Sequence, residues 1–220
     1  MATEIDNVEK QLAEQKDRWN SRAATWDSEL LKPDHYANFE NGYQRFLDFE
    51  EKELAEIKGG VGIDLGCGTG IASVPLAEKV DQIYLLDIAD KMLEEAHKKV
   101  PQGILLSNQV TNIPLPDRSV DIAISRGILV SHLPAPLVPQ FFNELKRVMK
   151  VTGKVIFDFL CNEGTADFKL TSPKNTFTLE QMTQELKNVN FYWTKFDGTN
   201  DNRVVRVSAV KGLGWVPISS

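Results

Sequence analysis

Apolar residues recur at helical spacing from residue 8 to residue 30, with Val8, Leu12, Trp19, Ala23, Trp26 and Leu30 on one face and charges around the rest. That pattern predicts an amphipathic helix, ended by Pro33 and Asp34. A second helical pattern runs through Phe39, Tyr43, Phe46, Leu47, Leu54 and Ile57 and closes at Lys58 and the glycines at 59 and 60. Beyond residue 60 the period changes. Residues 61–65, 83–87, 104–106, 120–125 and 154–159 are short apolar runs rich in β-branched side chains, as expected of strands buried on both faces. Helical stretches at 71–79, 91–99 and 136–149 lie between several of them, and such alternation produces right-handed crossovers onto a parallel sheet. Residues 178–187 then predict a helix opened by Thr178. The runs 191–196 and 203–210, joined by a turn-rich stretch at 197–202, predict a closing antiparallel hairpin. The fold class is α/β, with helices at 1–58 packed on a core at 59–211 and a loose tail at 212–220.

Composition narrows the classes. A chain of 220 residues with 42% hydrophobic and 25% charged side chains suits one folded domain with a sizeable core. Its 25 basic residues are outnumbered by 31 acidic ones, for a net charge of −6, so no general attraction to nucleic acid or anionic lipid is built in. The polar start and the lack of any run near the roughly 18 apolar residues of a membrane span point to the cytoplasm and away from a membrane. Cys67 and Cys161 are far apart and have no metal-ligand partners at characteristic spacing, so neither a disulfide framework nor a metal site is expected.

Chemistry concentrates where the first predicted strand runs into Gly66-Cys67-Gly68-Thr69-Gly70 and then a helix. Glycines at every second position let backbone approach a ligand closely. Asp87 follows at the end of the second strand, at the distance where a carboxylate accepts both hydroxyls of a ribose. Together these describe a nucleoside site. A dinucleotide fingerprint would need a third glycine at position 71, where Ile71 stands, so an NAD(P)-dependent dehydrogenase is the disfavoured alternative.

The strand with Asp64 before this glycine loop, then Asp87, then Ile113-Pro114-Leu115-Pro116-Asp117-Arg118-Ser119-Val120-Asp121 resembles the class I S-adenosylmethionine-dependent methyltransferases of the UbiE/Methyltransf_11 type over residues 15–210. The segment from Phe142 to Met149 followed by Gly153 is similar to that family's pattern too. The resemblance implies a Rossmann-like sheet of seven strands under an N-terminal helical lid, with S-adenosyl-L-methionine as cofactor. By position it implies Gly66, Gly68 and Gly70 around the methionine and ribose, Asp64 near the amino group and Asp87 on the ribose hydroxyls. Ile88 and Met92 would pack on the adenine, while Ser125 and Arg126 would border the methionine and substrate pocket. Where the family usually places an acid to meet the adenine amine this sequence has Gln109, whose amide oxygen still accepts, followed by Val110.

Methyl transfer requires alignment and exclusion of water, and no nucleophilic protein residue. For an oxygen acceptor His132 is the best-placed general base, with a histidine that merely lines its loop as the equal alternative. Trp19, Trp26, His35 and Tyr36 are candidates for the lid and substrate wall, while Asp158, Cys161 and Glu163 are weaker candidates to face an acceptor. The leading expectation is methyl transfer to oxygen, nitrogen or sulfur of a small molecule, a short peptide included, by a monomer or homodimer. A non-catalytic S-adenosylmethionine- or S-adenosylhomocysteine-binding protein that acts through a partner is the alternative.

Overall fold

The computed structural model describes residues 4–30, 32, 42–127, 129–163, 174–198 and 204–213. Helices α1 (Glu4–Leu30) and α2 (Gly42–Leu54) precede β1 (Val61–Leu65), α3 (Ser73–Ala77), β2 (Gln82–Asp87), α4 (Asp90–Lys99), β3 (Ile104–Ser107) and β4 (Val120–Ser125). A short α5 (Leu129–His132) and a 3-10 turn lead into α6 (Val138–Val148), β5 (Met149–Leu160), α7 (Leu179–Asn188), β6 (Phe191–Asp197) and β7 (Val204–Lys211). Seven strands among the described residues form one sheet in the order β3-β2-β1-β4-β5-β7-β6. The first five run parallel, and β7 pairs antiparallel with both β5 and β6.

Each central strand feeds two cores, which is why its sequence reads as a continuous apolar run. Ile122, Ile124 and Ile156 join Phe46, Phe49 and Leu54 of α2, Leu76 of α3 and Leu93 of α4 on one face. Ala123, Val155 and Phe157 point the other way, into Phe141, Phe142 and Leu145 of α6 and Met182 and Leu186 of α7. Each such fully buried side chain contributes roughly 1.5–3 kcal/mol relative to exposure. Helix α7 begins with a reciprocal capping box: Thr178 Oγ1 accepts from Gln181 N at 2.9 Å, and Gln181 Oε1 accepts from Thr178 N at 2.8 Å.

Three expectations change. β3 is not buried: Ile104 and Leu105 are 42% and 38% exposed, because β3 is an edge strand pairing on one side with β2 alone. Met149 belongs to β5 rather than to the preceding helix, and pairs with Val120 before the strand kinks at Thr152, whose φ is +69°. The helix after the glycine loop is shorter than the 71–79 pattern suggested and spans Ser73–Ala77.

α2 is tied across the sheet by one buried acid. Glu53 accepts from Lys154 Nζ at 3.1 Å on β5, Lys195 Nζ at 2.8 Å on β6 and Ser208 Oγ at 2.9 Å on β7. α1 lies over α4: Asn20 Oδ1 accepts from Lys91 N at 3.0 Å and Lys16 pairs with Asp90 at 2.8 Å. The first bond satisfies an orphan donor in the first turn of α4 that no local cap reaches.

Candidate functional site

The strand order reverses between β1 and β4, and the loops leaving their carboxyl ends separate there into a cleft. Ser125 Oγ donates to Leu65 O at 2.8 Å across this switch point. The cavity has a volume of about 330 Å³. Gly66, Gly68, Asp87, Ile88, Met92, Gln109, Val110, Arg126 and His132 border it, with Trp19 and Trp26 of α1 opposite.

Asp87 is held at the rim by main-chain donors. Its Oδ2 accepts from Gly68 N at 2.9 Å and its Oδ1 from Ala89 N at 2.8 Å. Burial pushes its carboxyl above the usual aspartate range, and those N–H groups pull it back. Gly68 has φ +54°, and a Cβ built there would meet nothing within 4 Å, so backbone faces open cleft. Gly70 differs: at φ +79° its hypothetical Cβ would sit 2.9 Å from Ala96 Cα. Its place is close packing of the loop on α4, not the cleft wall.

Asp64 and Ser125 also stand behind the wall. Asp64 accepts from Ser73 Oγ at 2.6 Å through Oδ2, while its buried Oδ1 has no hydrogen-bond partner. Burial pushes it up to about 7, against the pull of the Ser73 hydrogen bond and with the Asp87 charge adding to the rise. Beside it the fully buried Glu50 of α2 is pushed up to about 9 by burial and by the Asp64 charge, with Arg126 opposing. Arg126 itself stacks over the Tyr43 ring, 4.5 Å from its centroid.

On the far rim Gln109 is exposed and Val110 buried. Arg147 fixes this loop, donating to Ile113 O at 2.6 Å, Leu115 O at 2.7 Å and Asp117 at 3.0 Å, while Glu144 Oε2 accepts from Ile113 N at 2.6 Å. The near rim is α1. Trp19 and Trp26 pack edge to face at 5.0 Å, against Ala89 and Met92. Asp27 accepts from Thr69 Oγ1 and pairs with Lys99 at 2.7 Å, while Lys99 also donates to Thr69 O at 2.9 Å. α1 is thereby bonded to the glycine loop itself.

His132 is half-buried beside Lys174, and desolvation together with the Lys174 and Arg18 charges lowers it to about 3. A ring whose protonation is disfavoured in this way is a weak base near neutral pH, which favours the alternative of a histidine that lines its loop. Asp158 and Cys161 are buried in and after β5, and Glu163 accepts from Leu179 N at 3.1 Å; none borders the cleft. His35 and Tyr36 lie outside the described residues.

Sequence reasoning missed Asp27, Tyr43 and Glu50. A signal existed for two of them: Asp27 sits four residues after Ala23 and Glu50 four after Phe46, so each puts an acid on an apolar stripe. Lys174 offered none, since it sits in a loop before α7.

The glycine loop after β1, the carboxylate ending β2 and a seven-stranded sheet with an antiparallel β7 inserted beside its edge define the class I, Rossmann-like methyltransferase fold. Residues 63–157, about two fifths of the chain, match the Methyltransf_11 family, a methyltransferase domain. A malonyl-(acyl-carrier protein) O-methyltransferase of Serratia marcescens is 34% identical over 100 residues, 44% of this chain and 37% of that one. The putative methyltransferase YqeM of Bacillus subtilis is 27% identical over 169 residues, 74% of this chain and 64% of its own. The chain thus spans less than two thirds of either relative. The magnesium protoporphyrin IX methyltransferase of Synechocystis, solved with bound S-adenosylmethionine, superposes with a TM-score of 0.71 at 19% identity, covering 92% of this chain and 97% of that one. These methyltransferase matches weigh against the nicotinamide alternative. Among the described residues no helix is long and apolar enough to cross a membrane, and no cluster of histidine, cysteine and acidic side chains suits a metal.

Proposed function

We propose that this chain transfers the methyl group of S-adenosylmethionine to an oxygen, nitrogen or sulfur of a small molecule. The carrying observation is Asp87, a buried carboxylate pinned by Gly68 and Ala89 N–H groups at the rim of the switch-point cleft, with oxygens left to accept a ribose diol. The site also fits the rest of the cofactor: backbone without a Cβ at Gly68 opens room beside Asp87, and Ile88 and Met92 offer an apolar face for a base. When bound, the cofactor supplies an electrophilic methyl on a sulfonium. The chain's own work is positional. Trp19 and Trp26 exclude water from above, Arg126 and Tyr43 wall the cleft, and Asp64 and Glu50 lie behind it.

An oxygen acceptor is favoured by the name of the Serratia relative, a malonyl-(acyl-carrier protein) O-methyltransferase. Calorimetric titration with S-adenosylmethionine, S-adenosylhomocysteine and NAD tests the reading. Micromolar binding of the first two, lost in Asp87→Ala, is the expected result; binding of NAD alone, or of none, overturns it.

A further inference from the structure

We propose that the methyl acceptor is an amphipathic carboxylate, its carboxylate held between Lys174 and Arg18 beside His132 and its apolar body lying against Leu12, Leu133 and Leu137. This rests on the methyl-transfer reading and names the class of its second substrate.

Arg18 from α1, His132 from the end of α5 and Lys174 from the stretch before α7 converge where the main cleft meets an adjoining hollow of about 410 Å³, and all three border both spaces. Lys174 is set in place rather than left on a free surface. Its neighbour Asn175 donates from N to Ser131 O at 3.0 Å and from Nδ2 to Leu133 O at 2.8 Å and Val130 O at 3.2 Å. Gln15 Nε2 donates to His132 O at 3.0 Å, which fixes α1, and Arg18 with it, against the same loop.

Charge points to the ligand. Lys174 Nζ contacts the His132 ring, and among the described residues no carboxylate pairs with Lys174 or Arg18. Glu14, the acid bordering the hollow, is exposed and lies 3.9 Å from Lys10. Burial and the Arg18 charge hold Lys174 down at about 8, as expected of cations gathered without an anion between them. A bound carboxylate reverses that repulsion through charge-assisted hydrogen bonds. A carboxylate with an apolar body also uses the Leu12, Leu133 and Leu137 side of the main cleft, which a bare phosphate would leave unfilled.

The test is intrinsic tryptophan fluorescence, with Trp19 bordering both spaces as reporter, while octanoate, octanol, octylamine and octyl phosphate are titrated into protein with and without saturating S-adenosylhomocysteine. Octanoate is expected to bind at least about tenfold more tightly than octanol, and Lys174→Gln and Arg18→Gln each to erase most of that advantage while octanol binding stays within about twofold. S-adenosylhomocysteine binding, read by calorimetry, should be unchanged in both variants and report that they are folded. Equal affinity for octanoate and octanol, tighter binding of octyl phosphate or octylamine, or variants that leave octanoate affinity intact would overturn the acceptor class alone. Failure of wild type to bind S-adenosylhomocysteine would instead remove the methyl-transfer reading on which the class rests.

Discussion

Replacing Glu50 by glutamine should stabilise this protein, and by an amount that depends on pH. Glu50 is fully buried, and neither of its carboxyl oxygens has a hydrogen-bond partner. Burial and the Asp64 charge raise it from its ordinary 4.5 to about 9, so at neutral pH it is protonated when folded and ionised when unfolded. Taking up that proton on folding costs roughly 3 kcal/mol at pH 7. The cost is absent below the unfolded value, grows through the window from 4.5 to about 9 and is constant above it. Glutamine has nearly the shape of the protonated acid and does not titrate. Urea unfolding of wild type and Glu50→Gln, followed by circular dichroism at pH 5, 6, 7 and 8, should show the variant ahead by about 4–5 kcal/mol at pH 8 and by less than about 1 kcal/mol at pH 5. A difference that does not change with pH, or a variant less stable at pH 8, would mean that Glu50 is ionised and held by Arg126, and the reasoning would fail.

Other consequences are as direct. Gly70→Ala forces a Cβ to 2.9 Å from Ala96 Cα at φ +79° and should cost at least about 2 kcal/mol in chemical denaturation, whereas Gly68→Ala, facing open cleft, should cost less stability and more S-adenosylhomocysteine affinity. Arg147→Ala releases the 113–117 loop and orphans its carbonyls, for an expected loss of about 1–3 kcal/mol by the same assay. Asp27→Ala cuts the bonds from α1 to Thr69 and Lys99 and should weaken S-adenosylhomocysteine binding in calorimetry while leaving the thermal midpoint within a few degrees. His132→Gln is expected to leave the pH profile of turnover between 6 and 8 unchanged, because burial and the Lys174 charge disfavour protonation of that ring; loss of an acidic limb, the fall in rate as pH drops, would restore it as general base.

The sequence disclosed most where one physical rule acts locally. Strands buried on both faces announce themselves as unbroken apolar runs, so β1 and β4 were bounded to the residue, and the glycine loop with Asp87 marked the cleft. β3 escaped because an edge strand of the same composition reads identically while its partner set decides its exposure. Gly70 and Asp64 were placed at the cleft by motif position, but the packing of α4 and the hydroxyl of Ser73 hold them behind it. His132 could be located as an imidazole near the site; its lowered basicity comes from desolvation first and then from Lys174, forty-two residues on, a contact that no local pattern carries. The cap on α4 likewise comes from Asn20, seventy-one residues away.

β7 is the last strand in chain order and yet an interior strand of the sheet. A ribosome therefore delivers β6 before the neighbour that will hold it, and leaves the free edge of β5 open until residues 204–211 emerge. α2, made near the beginning, waits as well, because two of the three side-chain partners of its Glu53 lie on β6 and β7. The parallel half can assemble during synthesis, but the last step of folding is the wedging of one strand between two others after translation has passed it. A nascent chain stalled before residue 204 should hence remain a chaperone client with an adhesive sheet edge, and one stalled well beyond residue 211 should not.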